Sequence, residues 1–372
     1  MIRFVSVEKL KPGTVLARDV YGVDTFTGHV VMLKDGQTLQ MASITKLLGL
    51  DLQGVYIHDN QDFEPDIVDD SSKREVISRV KEIFDIAEKA TESLYVDNID
   101  HANQVLEKLI NKITETDSKN LYLDVDDLRL YDDITYNHSL GTTVLSIAIG
   151  KQLRISRKDL SDLALCSLLH DVGKMKVPVE IIQKPAKLTP DELKTVRTHP
   201  KFGYDMLADK NLVSERVLNG IISHHERIDG SGYPYHTKGK HIPFFGRIIA
   251  CADVYDALTA QRPYRTPSQP NEAIEYIMGS AGRQFDSGVV KAFLKCVSPY
   301  PIGSCVKLSN GDKAVVLEQN QKNPLRPQVF LMDDPSVTID LYSDKRYYST
   351  VISGINYRKL RIIKHPGCST CK

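Results

Sequence analysis

KDLSDLALCSLLHDVGK, residues 158–174, is the stretch on which the fold turns. Its centre, LALCSLL, is among the most apolar helical runs in the chain, so the helix it predicts belongs in a core. The run closes on His170 and Asp171. That places two polar groups at the inner end of a buried helix, where an unpaired charge is costly. HSLGTTVLSIAIGKQL, residues 138–153, is the other strongly apolar helix, and the two together are expected to form the core.

Outward from this pair, residues 122–298 read as helical almost throughout, interrupted by loops rich in Gly, Pro and Asp. Residues 1–62 differ. LKPGTVLARDV, GHVVMLKDGQTL and LQGVYIHD are short, turn-punctuated apolar runs. They predict a small β-rich unit with a hairpin at KDGQ, residues 34–37, and one short helix over MASITKLLGL. Residues 63–121 read as a helical connector. Asp69, Asp70, Ser71 and Ser72 offer N-caps, and Val76, Val80, Ile83, Phe84 and Ala87 recur at helical spacing; a second helix is expected over 101–114.

After SPYPIG the pattern changes to alternation. SCVKLSNGDKAVVLEQN carries the hairpin signal Asn310-Gly311, RPQVFLMDD follows at strand length, and NYRKLRII, residues 356–363, predicts a last strand. Residues 299–365 are thus a small C-terminal β segment, with 366–372 a flexible tail. The fold class is mainly α: a helical bundle flanked by a small N-terminal β-rich (α+β) unit and a small C-terminal β segment.

Composition bounds the partners. Among 372 residues, 48 Lys and Arg balance 48 Asp and Glu, so bulk attraction to a nucleic-acid polymer or an anionic membrane is not the theme. MIRFVSVEKLKPG lacks the apolar core and small-residue cleavage pattern of a secretory signal. No run approaches the roughly 18–20 apolar residues of a transmembrane helix. The six cysteines are scattered, with Cys166 and Cys251 in apolar segments, which is not a disulfide framework. The expectation is a cytoplasmic protein.

Within the helical block His138, His170, Asp171, His199, His224, His225 and Asp253 form a series. Taken singly, several have bland readings. His138 before an apolar helix reads as a cap or a satisfied polar residue, and His199 in RTHPKFG as a helix-capping one. But His224 and His225 follow the core-facing VLNGIIS, and Asp253 lies in IIACADVYDAL, an apolar helix with little reason to hold a carboxylate. Together the groups are too many for one ion, and imidazole with carboxylate suits Zn, Fe or Mn. A carboxylate bridging two ions would economise on ligands, and ions about 3.5–4 Å apart are a common solution for phosphodiester cleavage.

His138, His170-Asp171 with Gly173-Lys174, His224-His225 and Asp253 resemble the HD superfamily of metal-dependent phosphohydrolases. HHERIDGSGYP, residues 224–234, and DALTAQRPYR, residues 256–265, resemble its HD-GYP subfamily. The resemblance covers roughly residues 125–297 and implies an all-helical HD-GYP bundle that hydrolyses cyclic di-GMP to linear pGpG, with onward cleavage to GMP left open. It implies two divalent ions, Fe or Mn. Asp171 would bridge them, with His138, His170 and Asp253 completing one ion and His199, His224 and His225 the other. Some members hold a third ion through a glutamate one turn before the first histidine; here Ile134 stands there and cannot ligate.

In that setting Lys174 is expected to assist the phosphate or the leaving group. Gly230 and Gly232 allow close backbone approach, Tyr233 stacks or hydrogen-bonds, and Pro234 stiffens the exit of a substrate loop. Arg227 and Asp229 orient that loop or contact guanine, and Arg262 and Arg265 offer forked donors to phosphate. Ser287 in GRQFDSGVV stands where the family usually has Pro, outside the ligand set, with little effect expected. Cys368 and Cys371 at CxxC spacing, with His365 near, read as a tail bearing two thiols. Two alternatives stay open: hydrolysis of another cyclic dinucleotide such as cyclic GMP-AMP, or a weakly catalytic cyclic di-GMP receptor signalling through a protein partner. A homodimer is compatible with either.

Overall fold

The computed structural model describes residues 2–7, 10, 12–17, 20–24, 28–48, 54–58, 75, 77–78, 92–115, 134–182, 184, 186–209, 213–260, 268–300, 305–320, 322–334 and 337–356. The chain divides into two units. One comprises Met1–Asp66, Ile302–Gln319 and Arg326–Lys372, the other Ile67–Pro301 and Asn320–Leu325.

In the first unit, β1 (Ile2–Ser6) and β2 (Val15–Leu16) flank β5 (Gly54–His58) antiparallel. β3 (Val20–Asp24) and β4 (Gly28–Leu33) make a separate antiparallel pair. The helix anticipated over MASITKLL is α1 (Met41–Leu48). Leu16, Leu39, Leu47 and Ile57 are fully enclosed at the centre of this part. KDGQ is a tight turn, with Gln37 N donating to Lys34 O at 3.1 Å, but it is not the hairpin expected of it. β4 pairs back onto β3, and the chain beyond the turn bridges Thr38 to Val15 instead. Turn residues specify a reversal; which strand receives the chain is decided by the buried face.

The C-terminal strands form one antiparallel sheet in the order β10-β6-β7-β8-β9. Asn310-Gly311 joins β6 (Cys305–Leu308) to β7 (Lys313–Glu318), as its sequence signal anticipates. β8 (Gln328–Leu331) falls within RPQVFLMDD. β9 (Thr338–Asp340) is too short to show alternation in the sequence, and β10 (Ile352–Asn356) precedes the strand expected over 356–363. Beyond Asn356 that stretch, like Cys368, Cys371 and His365, lies outside the described residues.

The second unit is helical: α2 (Glu92–Glu115), α3 (Ile134–Gln152), α4 (Arg157–Leu169), α5 (Val179–Ile182), α6 (Pro190–Val196), α7 (His199–Ala208), α8 (Glu215–Ser223), α9 (Phe244–Thr259), α10 (Pro270–Gly279) and α11 (Ser287–Phe293). α2 begins earlier than the 101–114 expected, and the helix expected over 69–87 falls outside the described residues except for Glu75, Ile77 and Ser78. Caps explain several starts. Ser156 accepts from Asp159 N, Thr189 and Glu192 form a reciprocal capping box ahead of Pro190, and Asp286 accepts from Gly288 N and Val289 N. Leu140, Val144 and Ile147 of α3 share one core with Leu163, Cys166 and Leu169 of α4 and Ile248, Ile249 and Tyr255 of α9. The two apolar helices singled out in the sequence therefore do form the centre of the bundle. Among the described residues no helix is long and apolar enough to cross a membrane.

Candidate metal centre

Helix ends deliver most of the polar side chains of the bundle interior. α4 ends at His170, its C-cap, with Asp171 immediately after; α8 ends at His224, its C-cap, with His225 next. His199 is the first residue of α7, His138 lies one turn into α3, and Asp253 sits in the middle of α9. His170, Asp171, His199, His224 and Asp253 are buried, while the side chains of His138 and His225 keep 11% and 24% exposure.

Asp171 lies at the centre, and its two oxygens face different imidazoles. Oδ2 is 3.4 Å from His170 Nε2 and 3.8 Å from His138 Nε2; Oδ1 is 3.3 Å from His199 Nε2 and 3.9 Å from His224 Nε2. Asp253 closes the ring, with Oδ1 3.0 Å from His138 Nε2 and Oδ2 3.8 Å from His225 Nδ1. Among the described residues two groups have ligand atoms close enough to hold an ion: His138, His170 and Asp171 form one, and Asp171, His199, His224 and His225 the other. Asp171 belongs to both.

The tautomer of three rings follows from their outer hydrogen bonds. Helix termini leave carbonyls without intrahelical donors. The Nδ1–H of His170 donates to Ser167 O at 2.7 Å, and that of His224 to Ile221 O at 2.6 Å. His199 Nδ1 donates to Val196 O at 2.7 Å, a carbonyl whose helical donor would have been Pro200, which has no N–H. Since a carbonyl only accepts, Nδ1 carries the proton of each pair, and the neutral ring presents its Nε2 lone pair inward. His199 Nε2 and His224 Nε2 then face each other at 3.3 Å as two acceptors. His170 Nε2 and Asp171 Oδ1 are buried without a hydrogen-bond partner. Such a set is costly in a bare protein and fits a divalent cation.

Burial, reinforced by the neighbouring imidazoles, holds His224 well below its usual pKa, and burial pushes His225 down to about 3. His138 goes the other way. Burial disfavours its charge, but the Asp253 and Asp256 carboxylates outweigh that and raise it to about 9. Asp171 is opposed by burial, yet the Lys174 ammonium beside it keeps it well below the usual carboxylate range. The same contest, with His138 as main partner, lowers Asp253. Lys174 reaches back to Asp171 Oδ2, so an ammonium stands at the rim of the cluster.

The loop after the histidine pair packs directly on it. Tyr233 donates its N–H to His225 O at 3.2 Å and stacks on the His225 ring, centroids 4.7 Å apart. A Cβ on Gly232 would lie 2.4 Å from Arg227 N and 2.5 Å from both Glu226 Cα and His225 O, all backbone, so only glycine fits. Gly230 has φ +81, the Tyr233-Pro234 peptide is cis, and Arg227 is exposed. Asp229 turns into the loop: its Oδ1 accepts from Ser231 N and Ser231 Oγ, which makes it an ordering residue of the turn. Arg262 and Arg265 lie outside the described residues. Ser287 opens α11, the helical position where a proline fits equally well.

Three residues near the cluster are given no role of their own by the sequence reading. Asp256, fully buried, meets His138 Nδ1 at 2.6 Å; its signal, a carboxylate in an apolar helix, is the one that exposed Asp253 a turn earlier. Glu226, also buried, accepts from Tyr235 N at 2.7 Å and Thr237 N at 3.1 Å and so pins the loop. Arg197, exposed, lies over the Tyr233 ring, 5.3 Å from its centroid, and carries no sequence signal.

A helical bundle whose helix ends gather histidines around a shared buried aspartate defines a class of protein built to hold divalent metal. The chain belongs to the HD domain family, whose model matches residues 92–289. It is 39% identical over 229 residues to the cyclic di-GMP phosphodiesterase PA4108 of Pseudomonas aeruginosa, covering 62% of this chain and 55% of that protein. It is 32% identical over 216 residues to a cyclic di-GMP phosphodiesterase of Thermotoga maritima, covering 58% and 54%. The chain thus spans about half the length of these curated relatives. A solved structure, Bd1817, a HDG"Y"P protein from Bdellovibrio bacteriovorus, shares the fold with a TM-score of 0.50 and 19% identity over 79% of this chain and 98% of that one.

Proposed function

We propose that this chain is a metal-dependent phosphodiesterase of the HD-GYP type that opens cyclic di-GMP to linear pGpG. The observation that carries the reading is the division of Asp171 between two groups of imidazoles, which suits a carboxylate shared by two ions. The cyclic di-GMP phosphodiesterases of P. aeruginosa and T. maritima among its relatives support the substrate.

In this reading His138, His170 and Asp253 hold one ion, His199, His224 and His225 the other, and Asp171 serves both. Fe or Mn suits so imidazole-rich a set with two carboxylates. Such ions, when bound, offset the charge of the phosphate oxygens and bring a water's pKa near neutrality. The protein's own part is positional. Backbone carbonyls aim three Nε2 lone pairs inward. Lys174 brings an ammonium to the rim, where a phosphate or leaving oxygen gains from it. Residues 226–234, with Gly230, Gly232, Tyr233 and Pro234, form the wall against which the dinucleotide lies, with Arg227 as a cationic contact; Arg262 and Arg265, assigned to phosphate by their sequence motif, lie outside the described residues. A cytoplasmic setting belongs to the same proposal and agrees with Cys166, Cys251 and Cys296 being buried and unpaired.

The test is product analysis. Protein loaded anaerobically with Fe(II) or Mn(II) is incubated with cyclic di-GMP, with cyclic GMP-AMP in parallel, and the nucleotides are separated. Linear pGpG is the expected product; absence of linearisation with either metal overturns the reading.

A further inference from the structure

We infer that Asp256 is a positioning residue of the metal centre, acting through His138 and therefore on one half of the site. The inference rests on His138 being a ligand, as proposed above. His170, His199 and His224 all lean on neutral peptide carbonyls. His138 alone among these four leans on a carboxylate, with Nδ1 2.6 Å from Asp256 Oδ2. Asp256 lies one turn beyond Asp253 on α9. Successive turns of one helix therefore address both nitrogens of the same ring, Asp253 Oδ1 at Nε2 and Asp256 Oδ2 at Nδ1.

The opposing helix is shaped for this. A Cβ on Gly141 would lie 2.3 Å from Asp256 Oδ1 and 3.0 Å from its Cγ. α3 thus supplies the imidazole at His138 and, one turn later, the space for the carboxylate that orients it. A carboxylate buried this deeply in an apolar helix is costly without a strongly donating partner. A carbonyl and a carboxylate both fix the tautomer, but the charged acceptor also makes the imidazole a more basic metal donor. His138 is accordingly supported by charge, and His170, His199 and His224 by backbone.

The test uses the full chain, stripped of metal and titrated with Mn2+ alone, with free Mn2+ followed by electron paramagnetic resonance. Wild type is expected to show two binding events. Asp256→Asn should weaken one of them by about 10–100-fold, as loss of such outer partners commonly does, and leave the other unchanged. Gly141→Ala, which keeps the carboxylate but displaces it, should weaken the same event, with circular dichroism melts confirming that both variants fold. In the metal-free wild type the His138 Nδ1 proton should resonate far downfield, and this signal should move upfield in Asp256→Asn. Unchanged affinity in Asp256→Asn, equal weakening of both events, or a wild-type proton with no downfield shift overturns the inference. Wild type that binds no Mn2+ overturns it together with the metal-centre reading. Wild type that binds two ions yet leaves cyclic di-GMP intact overturns the proposed substrate and leaves the Asp256 prediction to stand on its titration.

Discussion

His199 Nε2 and His224 Nε2 face each other at 3.3 Å, and each neutral ring has its Nδ1 proton on a backbone carbonyl on the far side. Two lone pairs so placed repel until a cation lies between them. Metal should therefore stabilise the fold as well as serve chemistry. With Mn2+ at about 100 times its dissociation constant the gain is about 2.7 kcal/mol, provided the unfolded chain does not bind the ion. Thermal melts with Mn2+ and then with excess chelator should differ reversibly by that order. Coincident melts would mean the facing imidazoles hold no ion.

Removing the carboxylate that both groups of imidazoles face is the stricter version. Asp171→Ala and His170→Ala each take away a buried donor facing the cluster, and metal analysis should find the ion content and turnover falling together while the helical circular dichroism spectrum persists. Full turnover in either variant contradicts the ligand assignment.

Metal binding should also release a proton, and the histidines differ in who gives it. His138, raised to about 9, is charged at neutral pH and must lose its proton before Nε2 can donate to an ion. His225, pushed down to about 3, is already neutral and gives none. The sign follows: affinity at the His138 half rises with pH, roughly tenfold per unit, until it levels near pH 9. Calorimetric titration of Mn2+ at pH 7 in two buffers of different ionisation enthalpy should report about one proton released. A buffer-independent heat would place His138 in its neutral form beforehand.

The ligand-type residues were legible because each interrupts an apolar run: His170-Asp171 ends LALCSLL, His224-His225 ends VLNGIIS, and Asp253 breaks IIACADVYDAL. Burial makes such interruptions costly, so they are informative. His199 is different. Taken singly it resembles a helix cap; the family resemblance places it in the ligand set, and the fold brings its ring to Asp171. Asp256 is the first residue of DALTAQRPYR yet receives no role there, because a residue that acts through its neighbour has no spacing rule of its own. Glu226 was hidden by its neighbours, among histidines and glycines that drew the reading. The β parts were less legible still: KDGQ announces a turn but not its partner strand, and the three residues of β9 are too few to alternate.

Glu226 should separate loop order from metal binding. Its carboxylate is buried and accepts from the backbone of Tyr235 and Thr237, which fixes the chain just beyond Pro234. Glu226→Ala leaves two amides without that acceptor, at a cost of about 1–3 kcal/mol if they stay buried. The expected outcome is a raised KM for the dinucleotide and faster limited proteolysis in 226–238, with metal content unchanged. Loss of metal with an intact loop would instead place Glu226 among the groups that hold the ions.

Gly232→Ala tests the same wall from the other side. The added methyl would fall within 2.5 Å of three backbone atoms, Arg227 N, Glu226 Cα and His225 O, none of which can move without shifting the histidine pair or the turn. Flexible side chains yield to such a group; backbone does not, so the loop itself must open. Tyr233 is the next residue, its amide bonded to His225 O and its ring stacked on His225, so this stack should be the first to break. Turnover should fall at least tenfold, with part of the loss appearing as weaker Mn2+ binding at the His225 half. His170, reached from α4, should be undisturbed, so one binding event of the two should survive. Wild-type turnover in Gly232→Ala would show that the loop does not need its close approach to the histidine pair.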